Sequence, residues 1–352
     1  MTGEEAVTLK DEAVLGLVKV QSVNLDTLSK QGRKTFHSIY SDLLDSITYQ
    51  VKIHSIQRRF DLDKYINELH YKNQKPFQLR SGYTQHCRNV SSGELITTDH
   101  YISIRVSDGD SVEARGSELD NRIRSILQSL NRGGLSAHRV TDYQLRELVQ
   151  RFDFQPQAEK DCVVTDGGEH RKTLYVEEYP IDLETGWPRS LLRLPGLIEV
   201  TQVIQPEDPG DTVDKLERLK EKAVAEINSF VSSGHLKTTD LEKKKEDIQW
   251  FLQLLMNRTD KPFQYSCLVT VRAESEEDCD RLFEQVENHL RTQQISYQKP
   301  VYRVDKAVQT ESPLYPDTLD ESLLLPTRSV GAGFPFATQP VNEEAGVIYG
   351  VD

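Results

Sequence analysis

Tyr101-Ile102-Ser103-Ile104-Arg105-Val106 and Tyr265-Ser266-Cys267-Leu268-Val269-Thr270-Val271 are the two runs that decide the fold. Each is rich in β-branched and aromatic residues, and each leads into an amphipathic helical pattern and then into another β-rich run. After the first, Leu119, Ile123, Ile126, Leu127 and Leu130 recur at helical spacing. Asn131-Arg132-Gly133-Gly134 stops that helix, since glycine accepts the left-handed backbone at a helix C-terminus. Residues 135–140 read as the returning strand. After the second run, Ser275 opens a helix with Asp278 three residues on, close to a capping box. Its apolar face is Cys279, Leu282, Phe283, Val286 and Leu290, and residues 295–304 read as the returning strand. Two strand–helix–strand units of similar length predict an α+β fold of duplicated, ferredoxin-like split βαβ units. A Lys-Pro-Phe-Gln tetrapeptide precedes both units, at 75–78 and 261–264, an echo too short to carry weight.

Outward from these units, residues 14–23 alternate loosely as a strand. A helix follows from Asp26 with Phe36, Ile39, Tyr40, Leu43 and Leu44 on one face, then a strand at 47–53. A short helix is expected at 61–70, a loop at 76–93, and a strand again at 96–106. Thr141 caps a helix holding Leu145, Leu148, Val149 and Phe152. The polar stretch 155–171, with Asp166-Gly167-Gly168, is the expected domain boundary. Strands at 174–176 and 197–204 flank Gly186-Trp187-Pro188-Arg189. Asp211 starts a long amphipathic helix, Ser232-Ser233-Gly234 turns the chain, and a second helix carries Leu241, Ile248, Phe251, Leu252 and Leu255. The predicted organisation is an α+β domain over 1–155, a second over 171–312 with an inserted helical hairpin at 211–257, and a connector over 313–352.

The 352 residues exceed what one hydrophobic core commonly serves. With 37% hydrophobic and 28% charged residues, the composition is that of an ordinary soluble globular protein. No apolar run reaches the roughly 20 residues of a membrane span. Met1-Thr2-Gly3-Glu4-Glu5 does not begin a signal sequence, so a cytoplasmic location is expected. Cys87, Cys162, Cys267 and Cys279 are scattered and predict free thiols. The formal net charge of −13 argues against direct nucleic-acid binding, which draws its affinity from clustered Lys and Arg. Lys243-Lys244-Lys245 lies between Glu242 and Glu246 and reads as a solvated helix face.

Motifs for chemistry are missing. No Gly-Lys dipeptide occurs, so no phosphate-binding loop of the G-x-x-x-x-G-K-[ST] kind can form. Gly331-Ala332-Gly333 starts like a dinucleotide fingerprint but places Phe336 where its last glycine belongs. No metal-ligand spacing or nucleophile elbow is present. Asp99-His100 with Asp108-Gly109-Asp110 could form an acid/base or metal cluster, but a strand start and a turn explain those residues as well. His86-Cys87 with Cys162 fits no zinc class. No catalytic residue, cofactor site or metal site is assigned. Trp187 is read as an interface or core-edge aromatic.

The tail closes with Phe334-Pro335-Phe336 and Gly346-Val347-Ile348-Tyr349-Gly350. Its Pro and Gly read as connector, and its apolar groups as anchors for another domain. Trp187, Phe334, Phe336, Ile348 and Tyr349 are therefore the candidate interaction residues. Replacing Phe334 and Phe336 is expected to weaken a partner while sparing this chain's own stability.

These segments, in this order, resemble the N-terminal region of the conjugative-transfer and type IV secretion ATPases, the TraC-like, CagE/TrbE/VirB group. The residues carrying the resemblance are the strand–helix–strand unit ending in 141–152, Gly186-Trp187-Pro188-Arg189 with Leu194-Pro195-Gly196, the hairpin leading into 265–271, and the tail. The resemblance implies a docking and oligomerisation region that couples a P-loop motor, in cis or in trans, to membrane components of a transfer complex. It implies a peripheral position at the inner face of the cell membrane and a homo-oligomeric state as an option. ATP and Mg²⁺ belong, in that family, to the motor domain, so this chain by itself is not expected to be an enzyme. Two other classes stay open: a stand-alone structural adaptor, and a hydrolase built on Asp99, His100, Asp108 and Asp110.

Overall fold

The structure is a computed structural model that describes residues 5–25, 28–59, 96–154, 156–180, 183–232 and 239–337. The expected helix at 61–70, the loop at 76–93, Cys87, the first Lys-Pro-Phe-Gln copy and the Val347-Ile348-Tyr349 strand lie outside the described residues.

The first half runs β1 (Val7–Thr8), β2 (Val14–Val20), α1 (Lys30–Ser46), β3 (Val51–Arg59), β4 (Ile96–Val106), α2 (Val112–Arg132), β5 (Ala137–Arg139) and α3 (Asp142–Phe152). The second begins with β6 (Gln157–Ala158), β7 (Val163–Val164), β8 (His170–Glu178), α4 (Pro188–Leu191) and β9 (Leu197–Pro206). The hairpin α5 (Pro209–Ser232) and α6 (Thr239–Met256) follows, then β10 (Pro262–Ala273), α7 (Glu276–Thr292) and β11 (Ser296–Gln298). The chain continues through α8 (Val304–Glu311), β12 (Leu323–Pro326) and α9 (Thr327–Ala332).

The architecture is α+β. One twelve-stranded sheet runs β1-β2-β4-β3-β9-β10-β8-β7-β6, with β5 added on β2, β11 on β8 and β12 on β10. Every ladder between these strands is antiparallel. The four main strands of the first half lie in the order β5-β2-β4-β3, and those of the second in the order β11-β8-β10-β9. The halves join where β3 pairs with β9, from Val51 opposite Ile204 to Ile56 opposite Glu199.

Strand alternation gives the sheet two unlike faces. Val51 and Ile53 of β3, Ile198, Val200 and Ile204 of β9, and Phe263, Tyr265, Val269 and Val271 of β10 point to one side. There they meet Tyr40, Leu43 and Leu44 of α1, Leu119, Ile123, Ile126 and Leu130 of α2, and Cys279, Leu282, Phe283, Val286 and Leu290 of α7 in one core. Of the two caps read in the sequence, Ser275 works as expected, its Oγ accepting from Asp278 N at 3.2 Å to start α7, whereas Thr141 stands at the N-cap of α3 without a side-chain cap bond. Ser111, not singled out in the sequence, caps α2, its Oγ accepting from Ala114 N at 3.1 Å. The opposite face is polar along its middle and is covered by α3 and α8, through Leu145, Phe152 and Ala307. The hairpin closes on its own cluster of Leu216, Ile248, Phe251, Leu252 and Leu255.

Several boundaries move. The returning strand expected at 295–304 spans only Ser296–Gln298, because Tyr302 takes a left-handed backbone (φ 60°) and Val304 starts α8. The strand expected at 47–53 begins at Val51 and runs to Arg59. Pro209, which suits a first helical turn, opens the long helix two residues before Asp211.

The largest correction concerns residues 313–337, expected to be connector. Leu323–Pro326 adds to the edge of β10, and Phe334 and Phe336 are each 0% exposed in the central core. Tyr40 sits edge-on to both rings, with centroids at 5.7 and 6.0 Å. The sequence suggested too little chain around these rings to bury them, whereas α1 and the sheet supply the cover. Phe334→Ala or Phe336→Ala should therefore each cost about 3–5 kcal/mol. The double change should cost less than the sum because the rings touch at 5.6 Å. Urea unfolding of the variants measures both effects, and a melt unchanged from the parent would restore the connector reading.

Candidate functional site

The functional geometry divides between the buried polar face of the sheet and the places where the chain's last described segment is held against it. On the polar face, Glu199 of β9 is surrounded by guanidinium groups from three other elements. Arg171 of β8 lies at 2.6 Å and Arg272 of β10 at 2.8 Å, and Arg151 reaches it from α3. Burial would raise the Glu199 pKa, but Arg272, Arg171 and Arg151 outweigh it and hold the carboxyl well below the usual range. Glu169 takes a second arm of Arg272 at 3.0 Å. Next to this group, Glu311 at the end of α8 accepts from Thr173 at 2.7 Å and from Thr270, and burial pushes its carboxyl up.

Lys52 of β3 performs a different task. Its Nζ donates to the carbonyl oxygens of Thr310 (2.7 Å), Ser312 (2.9 Å) and Tyr315 (2.8 Å), binding the exit of α8 to the first half. A cation at a helix C-terminus is also favoured by the helix dipole. Burial lowers its pKa to about 7 against the upward pull of Asp317. His54, one step along the same face, contacts Ser103 Oγ at 2.9 Å, and burial lowers it to about 3, so it is neutral at physiological pH.

The apolar face holds the rest of the segment. Gln202 Nε2 donates to Gly333 O at 2.8 Å, and a Cβ at Gly333 would stand 2.8 Å from the Tyr265 hydroxyl, so only glycine fits. Gly186, with φ 79°, donates its N–H to Ala332 O at 2.8 Å. The Gly186-Trp187-Pro188 turn and the Phe334-Phe336 segment, both singled out in the sequence, thus touch. Trp187 itself is 4% exposed and lies edge-on to Tyr179 at 5.7 Å. Trp187, Phe334 and Phe336 therefore sit inside this chain, and Ile348 and Tyr349 lie outside the described residues.

The Asp99/His100/Asp108/Asp110 grouping does not come together. Asp99 is paired with Lys19 at 2.8 Å and Arg58 at 2.6 Å on the polar face. His100 points to the other side, with Nδ1 2.9 Å from Ser55 Oγ and its ring edge-on to Phe336. Asp108 and Asp110 are exposed in the turn before α2. Among the described residues, no group of three or more His, Cys, Asp or Glu is placed to share a metal ion, and Cys162, Cys267 and Cys279 are buried free thiols. Nor is any helix among them long and apolar enough to cross a membrane. Glu199, Arg171, Arg272 and Lys52 were missed in the sequence. Their signal was a charge inside an otherwise β-rich run, at the alternation position opposite the apolar set.

Residues 1–153 match the archaeal TraC-like domain. The N-terminal region is TraC-like. This TraC-like region ends just beyond α3, so Arg151 is among its last residues, and its partner Glu199 lies in the second half. Lys52 likewise reaches out of the TraC-like region to α8 and the residues after it. No curated protein matches the chain.

Glu199→Gln should leave the buried Arg171 and Arg272 guanidiniums, and the partly exposed Arg151, under-compensated and cost about 3–5 kcal/mol at neutral pH. A carboxyl depressed by folding contributes its stability above the unfolded value of about 4.3, and that contribution is lost as pH falls toward the folded value. The parent should therefore lose stability on acidification from about pH 5 downward, more steeply than Glu199→Gln. Urea midpoints across that range test this, and parallel acid limbs would remove Glu199 as the acid-sensitive group.

Proposed function

We propose that the chain is the non-catalytic docking and oligomerisation region of a conjugative-transfer, type IV secretion-type ATPase. In this reading it couples a P-loop motor to membrane transfer machinery. The observation that carries the proposal is the TraC-like match over residues 1–153.

The strand order supports duplicated ferredoxin-like units as the framework. In each half the main strands, numbered along the chain, lie as fourth-first-third-second, the split βαβ arrangement. The second half departs from the first in its opening crossover, where the four-residue α4 stands in place of the seventeen-residue α1. It also carries the α5–α6 hairpin between β9 and β10.

The path of residues 304–337 supports a coupling role. The segment is pinned by Lys52 on one face, pairs along β10, and ends between α1 and the sheet on the other face. Anything joined to it would be tied to both faces at once. The partners under this reading are a P-loop ATPase domain and membrane components of the transfer complex, with the chain peripheral at the inner face of the cell membrane. ATP and Mg²⁺ are handled by the motor, and DNA is not gripped by this chain directly.

Mixing the purified chain with a separately expressed TraC-type P-loop ATPase domain tests the proposal. A stable complex on size exclusion, with Mg²⁺-dependent ATP turnover confined to the motor chain, is the expected result. Turnover by the chain alone would make it an enzyme, and failure to associate would favour a stand-alone structural adaptor.

A further inference from the structure

Helix α1 opens with Lys30-Gln31-Gly32-Arg33-Lys34-Thr35-Phe36-His37. Lys30, Arg33, Lys34 and His37 stand at i, i+3, i+4 and i+7, so they form one row about 10 Å long on a single helix face. Lys30, Arg33 and Lys34 are exposed, and none of them forms an ion pair among the described residues.

That row runs against two local rules. Like charges three and four residues apart repel, and cations near a helix N-terminus oppose the helix dipole. The first turn of α1 holds no acidic residue, and its last turn holds no basic one. Its neighbours in the same molecule obey the rule. α2 begins with Glu113 and ends with Arg132, and α7 begins with Glu276, Glu277 and Asp278 and ends with His289 and Arg291. The acidic end of α1 has an internal reason, since Asp45 accepts from Thr327 Oγ1 at 2.7 Å. Nothing within the described fold gives the basic row such a reason, and a local rule broken without internal compensation marks a surface under functional constraint.

We infer that the exposed row Lys30-Arg33-Lys34 on α1 is a docking surface for a short acidic segment of a partner protein. Charge complementarity sets the sign of the occupant, and the rest of the chain sets its size. The net charge of −13 would repel an extended polyanion such as a duplex or an anionic bilayer reaching beyond the row. Three or four carboxylates presented at the 5–6 Å spacing of a helix face match the row and stay within it. The surface calls for such a partner whether or not the chain serves a transfer ATPase.

Fluorescein-labelled deca-glutamate, titrated with the full chain at about 50 mM salt, is the direct probe. Saturable anisotropy is expected, weakening as salt is raised. The variant K30E/R33E/K34E should weaken it at least about tenfold, roughly 1.4 kcal/mol. Its melt should be no lower than the parent's, because the change removes repulsion and suits the helix dipole. If it nevertheless fails to fold, K30Q/R33Q/K34Q provides the same comparison. The control K243E/K244E/K245E changes net charge equally and should leave binding intact. Equal loss in both triple variants, or no saturable binding at all, would overturn the assignment. So would tighter binding of a 20-base-pair duplex or of phosphatidylserine vesicles that is lost in K30E/R33E/K34E, since the row would then serve a polyanion.

Discussion

The pairing of β3 with β9 is the constraint on which the rest of the molecule depends. A strand's side chains alternate between faces, so slipping this pairing by one residue would turn Lys52 and His54 into the core and Ile53 out of it. The register is fixed from both sides of the sheet. On the apolar side, Gln57 of β3 donates to Leu192 O at 2.7 Å and accepts from Ile198 N at 2.8 Å, locking the entry to β9. On the polar side, Arg272 of β10 reaches across to Gln57 O at 2.7 Å while its other arms hold Glu199 and Glu169. Two halves whose strands follow the same order are thereby merged into one continuous sheet.

Once the halves are merged, the segment after β11 becomes part of the core. α8 needs the polar face, because Glu311 is buried and its Oε1 accepts there from Thr173 and Thr270, with Arg171 close enough to favour its charge. Lys52 then fixes the chain leaving α8 by its carbonyl oxygens, which makes the contact indifferent to the side chains at those positions. Phe334 and Phe336 complete the apolar face against α1. Asp260 at the base of the hairpin grips Arg328 of α9 through both carboxylate oxygens, at 2.7 and 3.0 Å. The hairpin, the last segment and the first half are thus mechanically connected although they are distant in sequence.

The parts of this design legible in the sequence are those governed by short-range pattern. The apolar faces of α2 and α7, the Ser275 cap, the Gly133-Gly134 stop with Gly134 left-handed, and the hairpin all followed from periodicity and local chemistry. Strand ends were harder, as the 295–304 run shows, where a left-handed Tyr302 has no sequence signature. The tail was misread because Pro and Gly density reports backbone irregularity and not burial. An irregular segment can fill a core when its backbone groups find partners, as Gly333 O does with Gln202. The Glu199 group was unreadable as a set, since its four members come from α3, β8, β9 and β10 and meet only through sheet order.

The buried charges also show what their arrangement is for. Removing the Arg171 and Arg272 guanidiniums and the Glu199 and Glu311 carboxylates from water is costly, and a well-packed apolar set of the same volume would be at least as stable. Apolar side chains, however, tolerate a shifted partner, whereas Glu199 satisfies Arg151, Arg171 and Arg272 only in one register of β8, β9 and β10 and one placement of α3. The apolar face, shared by α1, α2 and α7, would accept nearby alternatives; the polar face does not. Burial on one side of the sheet therefore supplies the driving force, and the ion group on the other selects a single alignment of the TraC-like region with the half that follows it.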